Sequence, residues 1–167
     1  RAAGITDEDT IRKMCVLANA VVFTSRGTTF MLAGEEFLRT KGGDHNSYDS
    51  GYAVNELDYS LKIKNLDVFN NYKALIEFRK TMSAFHVDST NTQYQFTTSS
   101  LNGNNAILIS FVENGESYKI VHANGAVDGL TVDLSGYTLV LDTLGYNSIS
   151  SQTTINPYQT IIVKKPA

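Results

Sequence analysis

The chain has 167 residues, of which 42% are hydrophobic and 19% charged, a balance that fits a folded globular protein and argues against disorder. A net charge of -3 and a pI of about 5.6 provide no basic footprint for nucleic acid. No apolar run approaches the ~20 residues that span a bilayer, and the first residues do not read as a signal peptide. Neither nucleic acid nor membrane is therefore an expected partner.

This length suffices for one good-sized domain or two small ones. The single cysteine, Cys15, cannot form an internal disulfide, and its apolar helical position suits a packed thiol. The chain opens at Arg1 without a methionine, which raises the expectation that sequence upstream has been removed.

From Thr6 the signal is helical. "TDEDT" offers Thr6 as N-cap and Asp9 three residues on, with acids in the first turn where the helix dipole favours them. Ile11, Met14, Cys15, Ala18 and Val22 then recur as one apolar stripe. "TTFMLA" (28–33), between Gly27 and Gly34, reads as a strand buried on both faces, as in parallel sheets. A long polar loop follows, and then a second helix from about Asp67 to Phe85.

Past residue 90 the period falls to two. Tyr94/Phe96, Ile107/Ile109/Phe111, Tyr118/Ile120, Leu130/Val132/Leu134, Tyr137/Leu139/Leu141 and Ile161/Val163 are alternating sets. Asn-Gly, Gly-Asn and Asp-Gly pairs separate several of them, as hairpins require. About six short strands in this space suggest an antiparallel β-sandwich.

The first half is not a complete domain on this reading. A parallel strand buried on both faces needs neighbours on each edge to satisfy its backbone groups. Residues 1–88 thus read as the end of an α/β domain and residues 89–167 as the sandwich, so the chain is expected to be a fragment.

"AGEEFLRTKGGDHNSYDS", "NELDYS" and "YKALIEFRK" resemble, in order and spacing, the C-terminal stretch of bacterial type I pullulanases, members of the α-amylase superfamily of glycoside hydrolases. The resemblance is strong over 33–50, good over 67–80, and a matter of pattern over 90–167. It implies that residues 1–88 close a TIM barrel and that the β-sandwich is the family's domain C. The sequence departs from the family where Thr28 and Thr29 replace Ile-Pro, Leu32 stands where His is common, and Asp58-Tyr59 replaces Asp-Trp.

Retaining glycosidases flank the scissile bond with two carboxylates. Glu35 and Glu36 are adjacent, and neighbours on a strand point to opposite faces, so they do not form such a pair. They read as structural carboxylates that fix a loop or an arginine. In the resembling family the nucleophile, the acid/base, the third carboxylate and a His-Asp pair all precede the position of Arg1. The resemblance therefore implies no catalytic residue in this chain and no activity for it alone.

The loop "GGDHNSYDSGY" admits three readings. It is a solvated connector by composition. A metal site would use Asp44, His45, Asn46 and Asp49, but Tyr48 stands where the EF-hand pattern needs an acid or amide. Sugar binding is the third: carboxylates and amides bond hydroxyls, and Tyr48 can lie against a pyranose. The residues alone favour the connector. With the resemblance, sugar binding is favoured, with Asp44 the first candidate and Asn46, Tyr48 and Arg39 behind it.

Arg79 shares a helical face with Val68, Tyr72, Leu75 and Met82, so its guanidinium needs a partner, and Glu35 and Glu36 are the expected ones. His86 and His122 carry no catalytic context. The resemblance implies a starch-debranching hydrolase of α-1,6 links in pullulan and branched α-glucans, with α-glucan and the rest of the barrel as partners. It implies no cofactor for this chain and leaves room for calcium in the intact enzyme. Self-association through the open edge of 28–33 is a further expectation, and a secreted or cell-surface location is slightly favoured. The alternative function is a non-catalytic carbohydrate-binding or packing module; the chain has no tryptophan, which favours packing.

Overall fold

A computed structural model describes residues 4–88 and 90–167. Arg1 and Ser89, where the upstream cut and the start of the second unit are expected, lie outside them.

Helix α1 spans Glu8–Phe23 and is capped by Asp7, whose side chain accepts from the Thr10 amide at 2.8 Å. The cap falls one residue later than expected, which leaves Glu8 and Asp9 in the first turn. Its buried face is Val16, Ala20 and Phe23, not the predicted stripe, of which Ala18 is exposed and Ile11, Met14, Cys15 and Val22 are half-buried. Apolar residues occur on two sides of this helix, and the aromatic end at Phe23 selects the face. Two short helices follow the polar loop, α2 (Tyr52–Asn55) and α3 (Ser60–Lys64). Helix α4 (Leu66–Thr81) buries Val68, Tyr72, Leu75, Phe78 and Arg79, the predicted face, and a 3-10 turn at Ser83–Phe85 continues it. Tyr72 meets Phe23 edge-on at 5.9 Å, joining α1 to α4.

Residues 28–33 form no strand, contrary to the sequence expectation. A strand exists only through its ladder, and no segment among the described residues pairs with it. The segment is not buried on both faces: Met31 packs partly against the core, while Leu32 is exposed and Phe30 is 90% exposed.

The second half is antiparallel. Strands β1 (Thr97–Leu101), β2 (Ala106–Glu113), β3 (Glu116–Ala123), β4 (Thr131–Asp133), β5 (Thr138–Asp142), β6 (Gln152–Thr154) and β7 (Thr160–Pro166) build a five-stranded sheet, β1-β2-β3-β7-β5, and a pair, β4-β6. Tyr94 and Phe96 precede β1 and do not form a strand of their own. Asn114 and Gly115, both at positive φ, close the two-residue hairpin between Glu113 and Glu116.

One face of the large sheet packs on the helices. Phe111, Tyr118, Ile120 and Ile162 share a core with Val16, Tyr72, Phe78 and Phe85. Phe85, at 5.4 Å from Phe111, and Phe78, at 6.2 Å from Tyr118, are the aromatic contacts across this seam. The opposite face covers a second core, where Val121, Ala123, Ile161 and Val163 meet Val132, Leu134 and Ile155. Polar ties reinforce the seam. Buried Glu113, on β2, accepts from the Ser83 amide at 2.7 Å and the Ala84 amide at 3.2 Å, capping the 3-10 turn.

His122 bridges Thr24, which ends α1, and Thr160 on β7, with 2.9 Å on each ring nitrogen. Thr24 spends its proton on the Ala20 carbonyl at 2.8 Å, so His Nε2–H donates to Thr24 and Nδ1 accepts from Thr160. His122 is thus a satisfied structural residue.

Arg79 differs from expectation in its partners. Its guanidinium donates to the carbonyls of Phe23 (2.8 Å), Ser25 (2.6 Å), Gly27 and Phe85 (3.0 Å), and to no carboxylate among the described residues. The last carbonyls of α1 are unsatisfied by the helix and carry its negative dipole end, so a buried cation finds enough acceptors there without Glu35 or Glu36. Burial lowers the Arg79 pKa from its usual value.

Two outcomes follow from these ties. Arg79→Lys is expected to lower stability by about 2 kcal/mol or more, because an ammonium cannot reach four carbonyls; chemical denaturation measures it, and an unchanged midpoint would refute the account. Burial pushes the His122 pKa down to about 4. As pH falls from the unfolded value near 6.5 through 4, the unfolded chain takes a proton that the fold refuses, so stability is lost across that window, by about 3 kcal/mol at most. Denaturation at several pH values should show this slope in the wild type and not in His122→Gln.

Candidate functional site

The loop starts from a glycine. Gly34 has φ 98°, and a Cβ there would lie 2.8 Å from both Cβ and Cδ of Arg39, so neither the backbone nor the space admits another residue. Its amide donates to Glu36 Oε2 at 2.9 Å, and its carbonyl accepts from the Arg39 amide at 2.9 Å. Between them Glu35–Phe37 makes one 3-10 turn, and Leu38 is held at φ 59°, a conformation a branched side chain rarely adopts. Strain of this kind persists only where the surroundings enforce it.

Those surroundings are identifiable. Phe37 is buried, and its carbonyl accepts from Asn65 Nδ2 at 2.9 Å. Asn65 in turn accepts from Arg12 of α1, whose other nitrogen pairs with Asp67. The start of the loop is therefore fixed to the N-terminal ends of both long helices.

Beyond Leu38, Arg39 turns back onto the carbonyls of Ala33 (3.4 Å) and Asn55. Lys41 Nζ donates to the buried Ser47 hydroxyl at 2.5 Å, and Ser47 donates to Asn55 Oδ1 at 3.0 Å. Asn55 Nδ2 donates to the carbonyls of Ser47 (2.6 Å) and Gly51 (3.1 Å). Asn55 is the hub of the loop, a role the sequence reading missed although "NELDYS" contains it. An amide with both donors and an acceptor is a recognisable type for a hub, but its partners are set only by folding.

Asp44 accepts from the Asn46 amide at 2.9 Å and from the Ser50 hydroxyl. These bonds, Ser50 first and then the Asn46 backbone, hold its carboxyl below the usual range. Asp44, Asn46 and Tyr48 share this exposed stretch of loop, and Tyr48 is 82% exposed. Tyr52, on α2, is 81% exposed. Arg39 is set apart from them, its guanidinium directed at backbone.

Glu36 anchors the Gly34 turn as described. Glu35 makes itself felt at two half-buried or buried groups: burial and then the Glu35 carboxylate raise the pKa of the Cys15 thiol and of the Tyr72 phenol. The buried Tyr72 hydroxyl has no hydrogen-bond partner among the described residues. No group of three or more His, Cys, Asp or Glu side chains that could hold a metal ion stands together among the described residues. His86 is exposed, its Nε2 3.1 Å from the Arg79 carbonyl.

No protein-family model matches the chain. A pullulanase of Bacillus subtilis (strain 168) is 36% identical over 73 residues, 44% of this chain and 10% of that protein. A pullulanase of Klebsiella aerogenes is 40% identical over 68 residues, 41% of this chain and 6% of that protein. Among solved structures, pullulanase from Bacillus acidopullulyticus superposes with TM-score 0.80 at 31% identity, over 96% of this chain and 21% of that one. Pullulanase from Anoxybacillus sp. LM18-11, complexed with maltotetraose, gives 0.81 at 26% identity over 96% and 24%. This chain therefore spans about a tenth or less of these curated relatives and about a fifth to a quarter of these solved chains. In sequence over less than half its length and in fold over nearly all of it, the chain is related to one segment of the pullulanases.

Proposed function

We propose that the chain is the C-terminal part of a starch-debranching glycoside hydrolase that cleaves α-1,6-glucosidic links in pullulan and branched α-glucans. In this reading residues 1–88 complete a TIM barrel supplied mostly by other sequence, and residues 89–167 form a β-sandwich packed on it. The observation that carries the proposal is the build of the 34–55 loop. Its backbone is fixed by Asn55, Arg39 and the Gly34 turn, while Asp44, Asn46 and Tyr48 stay open to solvent. A rigid frame presenting a carboxylate, an amide and an aromatic ring suits recognition of sugar hydroxyls and ring faces.

Glu35 and Glu36 have a structural part in this reading. Glu36 holds the turn, and the barrel's catalytic carboxylates belong to sequence outside this chain. The exposure of Phe30 and Leu32, and the half-buried second face of α1, are the surfaces the remainder of a barrel would cover. For the helix-facing side of the large sheet a packing role is favoured over sugar binding, because Phe111, Tyr118, Ile120 and Ile162 are committed to the helices.

Two measurements test the proposal. The purified chain, verified by mass, is expected to release no maltotriose from pullulan, since general acid/base and nucleophilic carboxylates are missing; release would overturn the reading. In the intact enzyme, Tyr48→Ala and Asp44→Ala are each expected to raise KM several-fold to about tenfold with a smaller change in kcat, because contacts made equally in ground and transition states affect binding. Asp44→Asn should lose less, since it keeps the Oδ1 acceptor for Asn46. Wild-type kinetics in both alanine variants would make the loop a connector only.

A further inference from the structure

Away from the 34–55 loop, a cleft of about 410 Å³ lies between the N-terminal halves of α1 and α4 and the turn after β5. That volume lies in the range of small-ligand sites. Its apolar floor is Val16, Val68 and Leu144, and its polar rim includes Asn70, Asn71 and Asp142. Three carboxylates line it against two cations, and two of the three are already paired, Asp9 with Lys13 at 2.6 Å and Asp67 with Arg12. Such a lining attracts neither an anion nor a strongly charged cation.

Two independent features show that this wall is built. Asp142 is positioned by a fully buried amide: Gln159 Nε2 donates to Oδ2 at 2.7 Å, the Leu144 amide donates to Oδ1 at 2.8 Å, and each oxygen keeps a free lone pair. Tyr158 is held at φ 61°, a true outlier for an aromatic residue. The bend at Gly125 fits its ring closely, since a Cβ at Gly125 would stand 2.3 Å from the Tyr158 hydroxyl. Tyr158 thus lines the cleft from a costly backbone conformation, with its hydroxyl end packed on Gly125, beside amides and a positioned carboxylate.

We infer that this cleft is a second binding site for a short neutral oligosaccharide, with Tyr158 as the ring platform and Asp142, Asn70 and Asn71 as hydroxyl partners. The choice of an α-glucan as its ligand rests on the proposed function; the cleft's aromatic, amide-rimmed and largely charge-paired chemistry does not. Such a site would hold one stretch of a branched polymer while another occupies the 34–55 loop, raising the local concentration of substrate through a second weak contact.

The test is amide chemical-shift mapping on the whole 167-residue chain titrated with maltotetraose. Saturable shifts are expected at Asn70, Asn71, Leu144, Gly145 and Tyr158. Tyr158→Gly is expected to weaken these shifts at least tenfold in apparent affinity while the chain stays folded by circular dichroism, because glycine occupies a positive φ without penalty. Should that variant unfold, Asn70→Ala, an exposed helix position, is expected to weaken the same shifts about threefold. Tyr48→Ala should leave them unchanged. Shifts confined to residues 39–50 would overturn the cleft while leaving the loop reading intact. An absence of shifts in both places, or cleft shifts untouched by Tyr158→Gly, would overturn the inference as well.

Discussion

The arrangement of this molecule depends on one buried guanidinium. Arg79 ties together the carbonyls of Phe23, Ser25, Gly27 and Phe85. Three of these belong to the chain as it leaves α1, and the fourth belongs to the 3-10 turn after α4. A cation at 6% exposure survives there because four oriented dipoles replace its water, and the negative end of α1 adds to them. The Gly27 amide returns a bond to the Phe85 carbonyl at 2.9 Å. The Phe85 ring, 5.7 Å from the guanidinium, then carries the connection into the aromatic stack against Phe111 and Tyr118. Where α1 ends, where the next segment starts and where the sheet sits are therefore set together.

At the other end of the same helix pair Arg12 does a related job with different acceptors. It holds Asn65 and Asp67, and Asn65 passes the constraint to the Phe37 carbonyl. The helices are thus clamped near both ends, and the segment between them leaves one clamp at Gly27 and enters the other at Phe37. Only within that frame do the strain at Leu38 and the obligatory glycine at 34 make sense. Arg79 is spent on backbone carbonyls and Arg12 on the Asn65 amide and the Asp67 carboxylate, so the loop is braced by its own cations, Arg39 and Lys41.

Part of this was legible in the sequence. The α4 face could be read because Val68, Tyr72 and Leu75 keep a strict helical spacing, and the sheet could be read because alternation and the Asn114-Gly115 turn agree. The α1 face could not, since apolar residues occur on two sides and tertiary contact with Tyr72 decides between them. Residues 28–33 have strand composition, but composition cannot supply a ladder partner. The need of Arg79 for a partner was visible from its position in an apolar arc; the partners were not, because carbonyls are present at every residue and leave no mark in the sequence. Asn55 and Asn65 are hubs for the same reason. The chemistry of each is ordinary, and their importance lies in the places to which they reach.

The two halves of the chain are energetically less separable than their different periodicities suggest. Phe111, Tyr118, Ile120 and Ile162 belong to the sheet, yet they are buried by α1, α4 and the 3-10 turn. Exposing four such side chains would cost on the order of 6–12 kcal/mol, comparable with the whole stability of an average domain. Glu113 would lose its amide partners and His122 its bond to Thr24 in the same step, leaving the imidazole only Thr160 within the sheet. Strand β3 explains why the coupling runs through the centre and not an edge, since Tyr118 and Ile120 face the helices while Val121 and Ala123 belong to the second core. A displacement of the helices is therefore felt in both cores, and the cleft walled by α1, α4 and the turn after β5 can keep its shape only while that seam holds.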